Sequence, residues 1–353
     1  MGKVNYTEED FQKAAISFKN DLVAIPVLSL KDTTKFMTVV TGVRYEELVG
    51  TKSTNARFRP AGSKKEADQV DLNLNLRALK TYLGDLTAEF DPNTAITLLL
   101  GHRASQASGE DLKDVPSAKE VLALIAKDAA EDLVYVIWFG KRDPNSADPF
   151  ALFDGFDTIT LQEIEAGTIS EENRNLLEIE ETITVDNILR VTEKIIDFMD
   201  PKLRKQECFL YCPQWFADLY NRAYKKESAG ISYNDKFEQA YVEGSNKKLT
   251  LAPMEGKEGS EFLHIAPKNI MLFGCDQESD EENVKVKEYA PRVLTFLMNL
   301  FLGAQFRSVH SSQLCVVRHN TRVAAKEDPE QDNKGQDDVA GLQVQGPDDV
   351  AGE

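Results

Sequence analysis

The sequence predicts an α+β fold, with one long helix and separate runs of strand rather than a regular alternation of the two. Three observations carry this. Val70, Leu72, Leu74 and Leu76 alternate with Asp71, Asn73 and Asn75, a period of two that puts every apolar side chain on one strand face. Over 117–139, Ala118, Val121, Leu122, Ile125, Ala129, Leu133, Val136 and Ile137 recur at helical spacing. Glu261 to His319 then reads as short β-branched and aromatic runs, EFLHIA, NIMLFG, NVKVKEY, VLTFLMNLFLG and QLCVVR, separated by Pro267, an acidic DQESDEE turn, Pro291 and Gly303.

From the N-terminus, Phe11, Ala14, Ala15, Phe18 and Leu22 lie near a 3.6-residue period, so Thr7 to Val23 is expected to be an amphipathic helix that Pro26 ends. It serves equally well packed on its own chain or on a neighbour. Residues 27–60 mix strands and turns, and Thr51 to Lys65 carries five cations and no acid. The alternating strand follows, its apolar phase slipping to Leu79 and Leu83, which predicts a bulge near Ala78. Flanked by polar Gly, Ser and Lys linkers, it reads as half of a projecting two-stranded arm. Such a hairpin is marginal alone and its apolar face needs a partner.

The helix over 117–139 starts at a Ser117/Glu120 capping box and stops at Gly140. The middle, about Phe153 to Pro253, predicts a compact α/β module: helix Val185 to Met199 ended by Asp200-Pro201, strand Glu207 to Cys212, helix Pro213 to Lys226 and strand Leu249 to Ala252. Lys326 to Glu353 holds nine acids against two lysines and repeats GQDDVAG as GPDDVAG. That composition predicts disorder.

Composition narrows the function. With 353 residues, 42% apolar and 28% charged, the chain can fill a large interior, and its net charge of −18 disfavours general nucleic-acid binding. The start, MGKVNYTEEDF, has no apolar signal region, and the greasiest run, Val293 to Leu302, spans only about ten residues, so neither secretion by a signal peptide nor a membrane partner is expected. Four cysteines suit a reducing cytoplasm.

Catalytic and metal signatures are weak. Cys208 and Cys212 lack C-x-x-C spacing and are expected to be buried structural thiols. His102, His264, His310 and His319 form no HExxH pair; His264, within FLHIA, reads as a hydrogen-bonded wall residue. Asp276, Glu278, Asp280, Glu281 and Glu282 lack the glycine of a calcium loop and read as a solvated turn. No phosphate-binding loop or nucleophile elbow occurs. The expectation is no catalytic residue, no metal and no cofactor. Lys52, Arg57, Arg59, Lys64 and Lys65 suit subunit contact, solvation or contact with DNA phosphates.

The order of these elements resembles the Hong Kong 97-type fold of tailed-phage major capsid proteins, and among them those of phages infecting Bacteroidetes, with NIMLFGCDQESDEENVKV and FLGAQF as the segments that carry the likeness. The resemblance implies an N-terminal arm over 1–40 and an extended β-hairpin loop over 41–92. It implies a peripheral domain from 93–150 and 262–323 with its spine helix over 117–139, an axial domain over 151–261, and a disordered acidic tail over 324–353 outside the fold. It further implies self-assembly into hexamers and pentamers of an icosahedral head, with scaffolding and portal proteins as partners and packaged DNA touched weakly and non-specifically. The shell would assemble in the host cytoplasm and reside in the virion. Candidate intersubunit residues are Val70, Leu72, Leu74, Leu76, Arg57 and Arg59. The alternatives are an encapsulin-like cellular compartment and a cytoplasmic enzyme whose site forms only on folding.

Overall fold

The computed structural model describes residues 8–18, 21–22, 25, 30–54, 72–91, 118–227, 240–276, 284–290 and 293–319. Among the described residues the helices are α1 (Glu8–Ser17), a single turn α2 (Lys31–Thr34), α3 (Ala118–Phe139), α4 (Phe156–Glu165), α5 (Ile188–Phe198) and α6 (Gln214–Glu227). The strands are β1 (Thr38–Thr41), β2 (Glu46–Thr54), β3 (Leu72–Lys80), β4 (Tyr82–Phe90), β5 (Leu176–Ile179), β6 (Cys208–Cys212), β7 (Leu249–Pro253), β8 (Phe262–Ala266), β9 (Met271–Cys275), β10 (Val284–Ala290), β11 (Val293–Phe306) and β12 (Cys315–His319).

Two five-stranded sheets and one two-stranded sheet organise these strands. β11 is the axis of the first sheet. Its one edge takes β4, from Leu294↔Phe90 to Leu302↔Tyr82, while its other edge takes β10 and then, after Leu302, β9. β1 closes that side in parallel with β9. The second sheet runs β5-β12-β8-β6-β7. The five terminal strands read from the sequence therefore do not share one sheet: EFLHIA and QLCVVR, as β8 and β12, join strands from the middle of the chain. The lack of alternation explains why this was hidden, because all five residues of β8 and of β9 are buried and nothing in their pattern assigns them to one sheet or the other.

The spine α3 is about 33 Å long at 1.5 Å per residue. It buries Val121, Leu122, Ala126, Ala130, Val136, Ile137 and Trp138, so the buried face is wider than the expected stripe, with Ala129 and Leu133 at its margin. Ser117 of the capping box lies outside the described residues. α1 packs on its own chain: Phe11 and Ala15 are buried, Phe11 meets Phe90 edge-on at 5.4 Å, and Val286 N–H donates to Gln12 Oε1 at 2.9 Å. One apolar core lies around α3 and the first sheet, and a second around α5, α6 and the opposite face of the second sheet. The helices α5 and α6 and the strands β6 and β7 match their expected places, whereas α4 and β5 were not foreseen. The acidic tail over 324–353 lies outside the described residues.

Candidate assembly arm and buried polar cluster

Among the described residues the arm is built by β2 and β3. Their register runs unbroken from Glu46↔Lys80 to Thr54↔Leu72, so the expected bulge near Ala78 is absent. The slip of apolar phase has another cause. Leu79 points to the face opposite Leu76 and is fully buried at the root of the arm with Val43, Val49 and Leu272. Thr81 then turns the chain into β4 and the first sheet, its N–H donating to Tyr45 O at 2.9 Å and its hydroxyl to Val43 O at 3.0 Å.

On the other face the arm is open. Leu72, Leu74, Leu76 and Ala78 stand in register with Thr54, Lys52, Gly50 and Leu48. Leu76 is 56% exposed and Leu48 65%. Of the candidate contact residues, Leu76 is thus exposed on one face of β3 and Leu72 and Leu74 hold alternate register positions on the same strand, while Val70, Arg57 and Arg59 lie outside the described residues, as do Lys64 and Lys65. Arg77 anchors the arm to the body through Glu163 and, at 3.1 Å, Gln305 Oε1. Burial pushes the Glu163 carboxyl up, but hydrogen bonds from Arg77 and Thr168 and the Arg77 charge outweigh it and hold Glu163 below its ordinary value.

Where α3, α4 and β8 meet, the core contains a polar cluster that no sequence motif signalled. Lys257, Asp157, Ser260 and His264 are all buried, Lys257 and His264 completely. Gly256 makes this possible: at φ +77° it brings its loop so close to the spine that a Cβ would stand 2.5 Å from Val134 O. The Lys257 ammonium has three protons and three acceptors, Asp157 Oδ1 at 2.8 Å, Ser260 Oγ at 2.9 Å and His264 Nδ1 at 3.3 Å, and it lies 4.2 Å from the centre of the Trp138 ring. Ser260 donates to Asp157 Oδ2 at 2.5 Å. Asp157 sits in the first turn of α4, where the helix dipole favours a carboxylate.

The cluster sets the histidine tautomer. Thr160 spends its one hydroxyl proton on Phe156 O at 2.8 Å, so His264 Nε2–H donates to Thr160 Oγ1 at 2.9 Å, leaving the Nδ1 lone pair for Lys257. Burial and the Lys257 charge hold the imidazole well below its ordinary pKa, and it is neutral. Burial likewise lowers Lys257, with Asp157 opposing it. Every polar partner is satisfied inside the protein, an arrangement that pins α3, α4, β8 and the 254–260 loop together. His264 is the hydrogen-bonded wall residue the sequence suggested; Asp157, Lys257 and Ser260 carried no such signal.

The remaining candidates are structural. Cys208, Cys212, Cys275 and Cys315 are free and buried, and burial pushes Cys208 and Cys212 up to about 12. Asp276 is not part of a solvated turn: it is buried and pairs with Arg44 at 2.5 Å. Glu278, Asp280, Glu281, Glu282 and His102 lie outside the described residues. Among the described residues no group of three or more His, Cys, Asp or Glu could hold a metal, and no helix is long and apolar enough to cross a membrane.

This architecture has solved counterparts. A chain of the satellite phage P4 procapsid, a particle that includes the size determination protein, matches with a TM-score of 0.55 at 10% identity, over 85% of this chain and 90% of that one. The chain has the Hong Kong 97-type shell fold. More distant matches are a Gordonia phage Cozz chain, TM-score 0.47 at 11% identity over 83% and 87%, and the SrpI encapsulin of Synechococcus elongatus, TM-score 0.46 at 12% identity over 81% and 86%. No protein-family model and no curated protein matches the chain.

Proposed function

We propose that this chain is the major capsid protein of a tailed phage, building the hexamers and pentamers of an icosahedral head that encloses DNA. The observation that carries the reading is the two-stranded arm whose Leu48 and Leu76 stand open to water. Full burial of a leucine gains about 1.5–3 kcal/mol, and in a closed shell each such contact is repeated around the particle. The shell fold supports the same reading. Scaffolding and portal proteins belong to this proposal, as do weak DNA contact, the arm, peripheral and axial divisions, assembly in the host cytoplasm, residence in the virion and the narrower kinship with shells of Bacteroidetes phages. So does the absence of catalysis: the buried cluster is sealed and self-satisfied, which suits a structural pin.

Expression of the full chain, alone and with its neighbouring gene products, followed by electron microscopy, tests the reading. Capsomers or closed particles are expected. A monomer that persists across salt and concentration, with those products present, overturns it. Particles that load a protein cargo instead of DNA point to a cellular compartment.

A further inference from the structure

A cleft of about 520 Å³ opens at the root of the arm, lined by Arg77 of β3, Thr168 and Asn175 of the segment after α4, and Arg307, His310 and Ser311 after β11. No acidic residue lines it. Arg77 is compensated by Glu163, but the Arg307 guanidinium has no acidic partner among the described residues; only its backbone is engaged, its N–H donating to Ile270 O at 2.8 Å. The side-chain amides of Asn173 and Asn175 are committed: Asn175 Nδ2 donates to Thr168 O at 2.9 Å and to Val309 O at 2.7 Å, and Asn173 Nδ2 to Gly167 O at 3.0 Å and Thr168 O at 3.2 Å.

Other donors are left over. Arg77 Nε is buried and meets no acceptor, an arrangement that costs free energy unless a ligand accepts from it. Ser312 N–H donates to His310 Nδ1 at 3.1 Å, which places the histidine's proton on Nε2 and leaves it unspent. Spare donors therefore come from two arginines and a histidine on two segments, β3 and the stretch after β11, with the Glu163 carboxylate bonded to Arg77 and Thr168 at the edge of the cleft, in a chain whose net charge is −18.

We propose that this cleft binds a phosphate-type oxyanion. A tetrahedral oxyanion offers acceptors in several directions at once and fits the guanidinium fork, whereas a carboxylate offers two oxygens in one plane. The cleft is roomy enough for a phosphodiester as well as for free phosphate, and the two share the recognising chemistry. Binding weakens as salt rises, because salt screens the attraction of the arginines for the anion, while screening of the chain's acidic remainder partly offsets this.

Equilibrium dialysis of the full chain against labelled inorganic phosphate tests this, with a short DNA duplex as competitor. One saturable phosphate per chain is expected. Arg307→Ala, with its fold checked by circular dichroism, weakens binding at least about tenfold; Arg307→Lys, which keeps the charge and loses the fork, recovers part of that loss. Lys127→Ala, an exposed cation on α3, stays within about twofold. Displacement by the duplex identifies the phosphodiester backbone as the ligand's source, and phosphate binding that the duplex leaves untouched identifies a free oxyanion. Absence of saturable phosphate binding, or an Arg307→Ala chain that binds as the parent does, overturns the proposal.

Discussion

Gly303 of β11 lies against the backbone of Lys80, so close that a Cβ at 303 would stand 2.1 Å from the Lys80 carbonyl oxygen. This is the corner where the arm leaves the first sheet. Gly303→Ala must push β3 away from β11, and overpacking of this kind costs about 1–3 kcal/mol. Denaturant titration should show that loss as a lower midpoint. An unchanged midpoint would mean that the corner yields freely.

Lys257 and Asp157 form a fully desolvated pair, so removing one partner strands the other. Asp157→Leu or Lys257→Met alone should destabilise by about 3–5 kcal/mol. The double change Asp157→Leu with Lys257→Met should recover much of that, because no buried charge is left. Additive losses in the double variant would show that the pair acts through packing alone.

Acid should weaken the fold in a defined window. His264 and His319 are both held neutral, His319 lowered to about 4 by burial and, secondarily, by the Lys257 charge. Unfolded histidine titrates near 6.5. Below that pH the unfolded chain takes up protons that the folded chain refuses, so stability is fully present above about 6.5 and falls on acidification, by up to about 1.4 kcal/mol per pH unit for each group. The His319 contribution levels off below about 4. Denaturant midpoints at pH 7.5 and 5 should differ accordingly, and His319→Asn should shrink the difference by one proton's worth.

Leu76→Asp alters the open face of the arm, and Leu74→Asp a register position two residues along the same strand. Surface changes of this kind shift stability by about 0.5 kcal/mol or less. Circular dichroism and denaturation of the isolated subunit should match the parent while electron microscopy shows particles lost. Loss of the folded subunit itself would instead place β3 in an ordinary core.

Much of the fold is legible where one face is wet. The alternation of Leu72, Leu74 and Leu76 marks β3, and the long stripe of α3 survives with its ends within a residue of those expected. Legibility fails where both faces are dry: β8 and β9 are equally apolar, and which sheet each joins depends on partners far along the chain. It fails again at the buried cluster. Lys257 stands in EGKEGS, a stretch that reads as exposed, and only the approach of Gly256 to Val134 turns its ammonium inward. Leu79 shows a subtler loss, since its change of phase is visible in the sequence but its cause, a burial site at the arm's root, is not.

β12 is the last described strand, yet it lies inside the second sheet, between β5 and β8. β5 joins β8, β6 and β7 only through β12, so a nascent chain cannot complete that sheet until β12 has cleared the ribosome. A chain that stops short of β12 leaves β5 without its one neighbour in the sheet, which makes an early strand of the sequence the last to be docked.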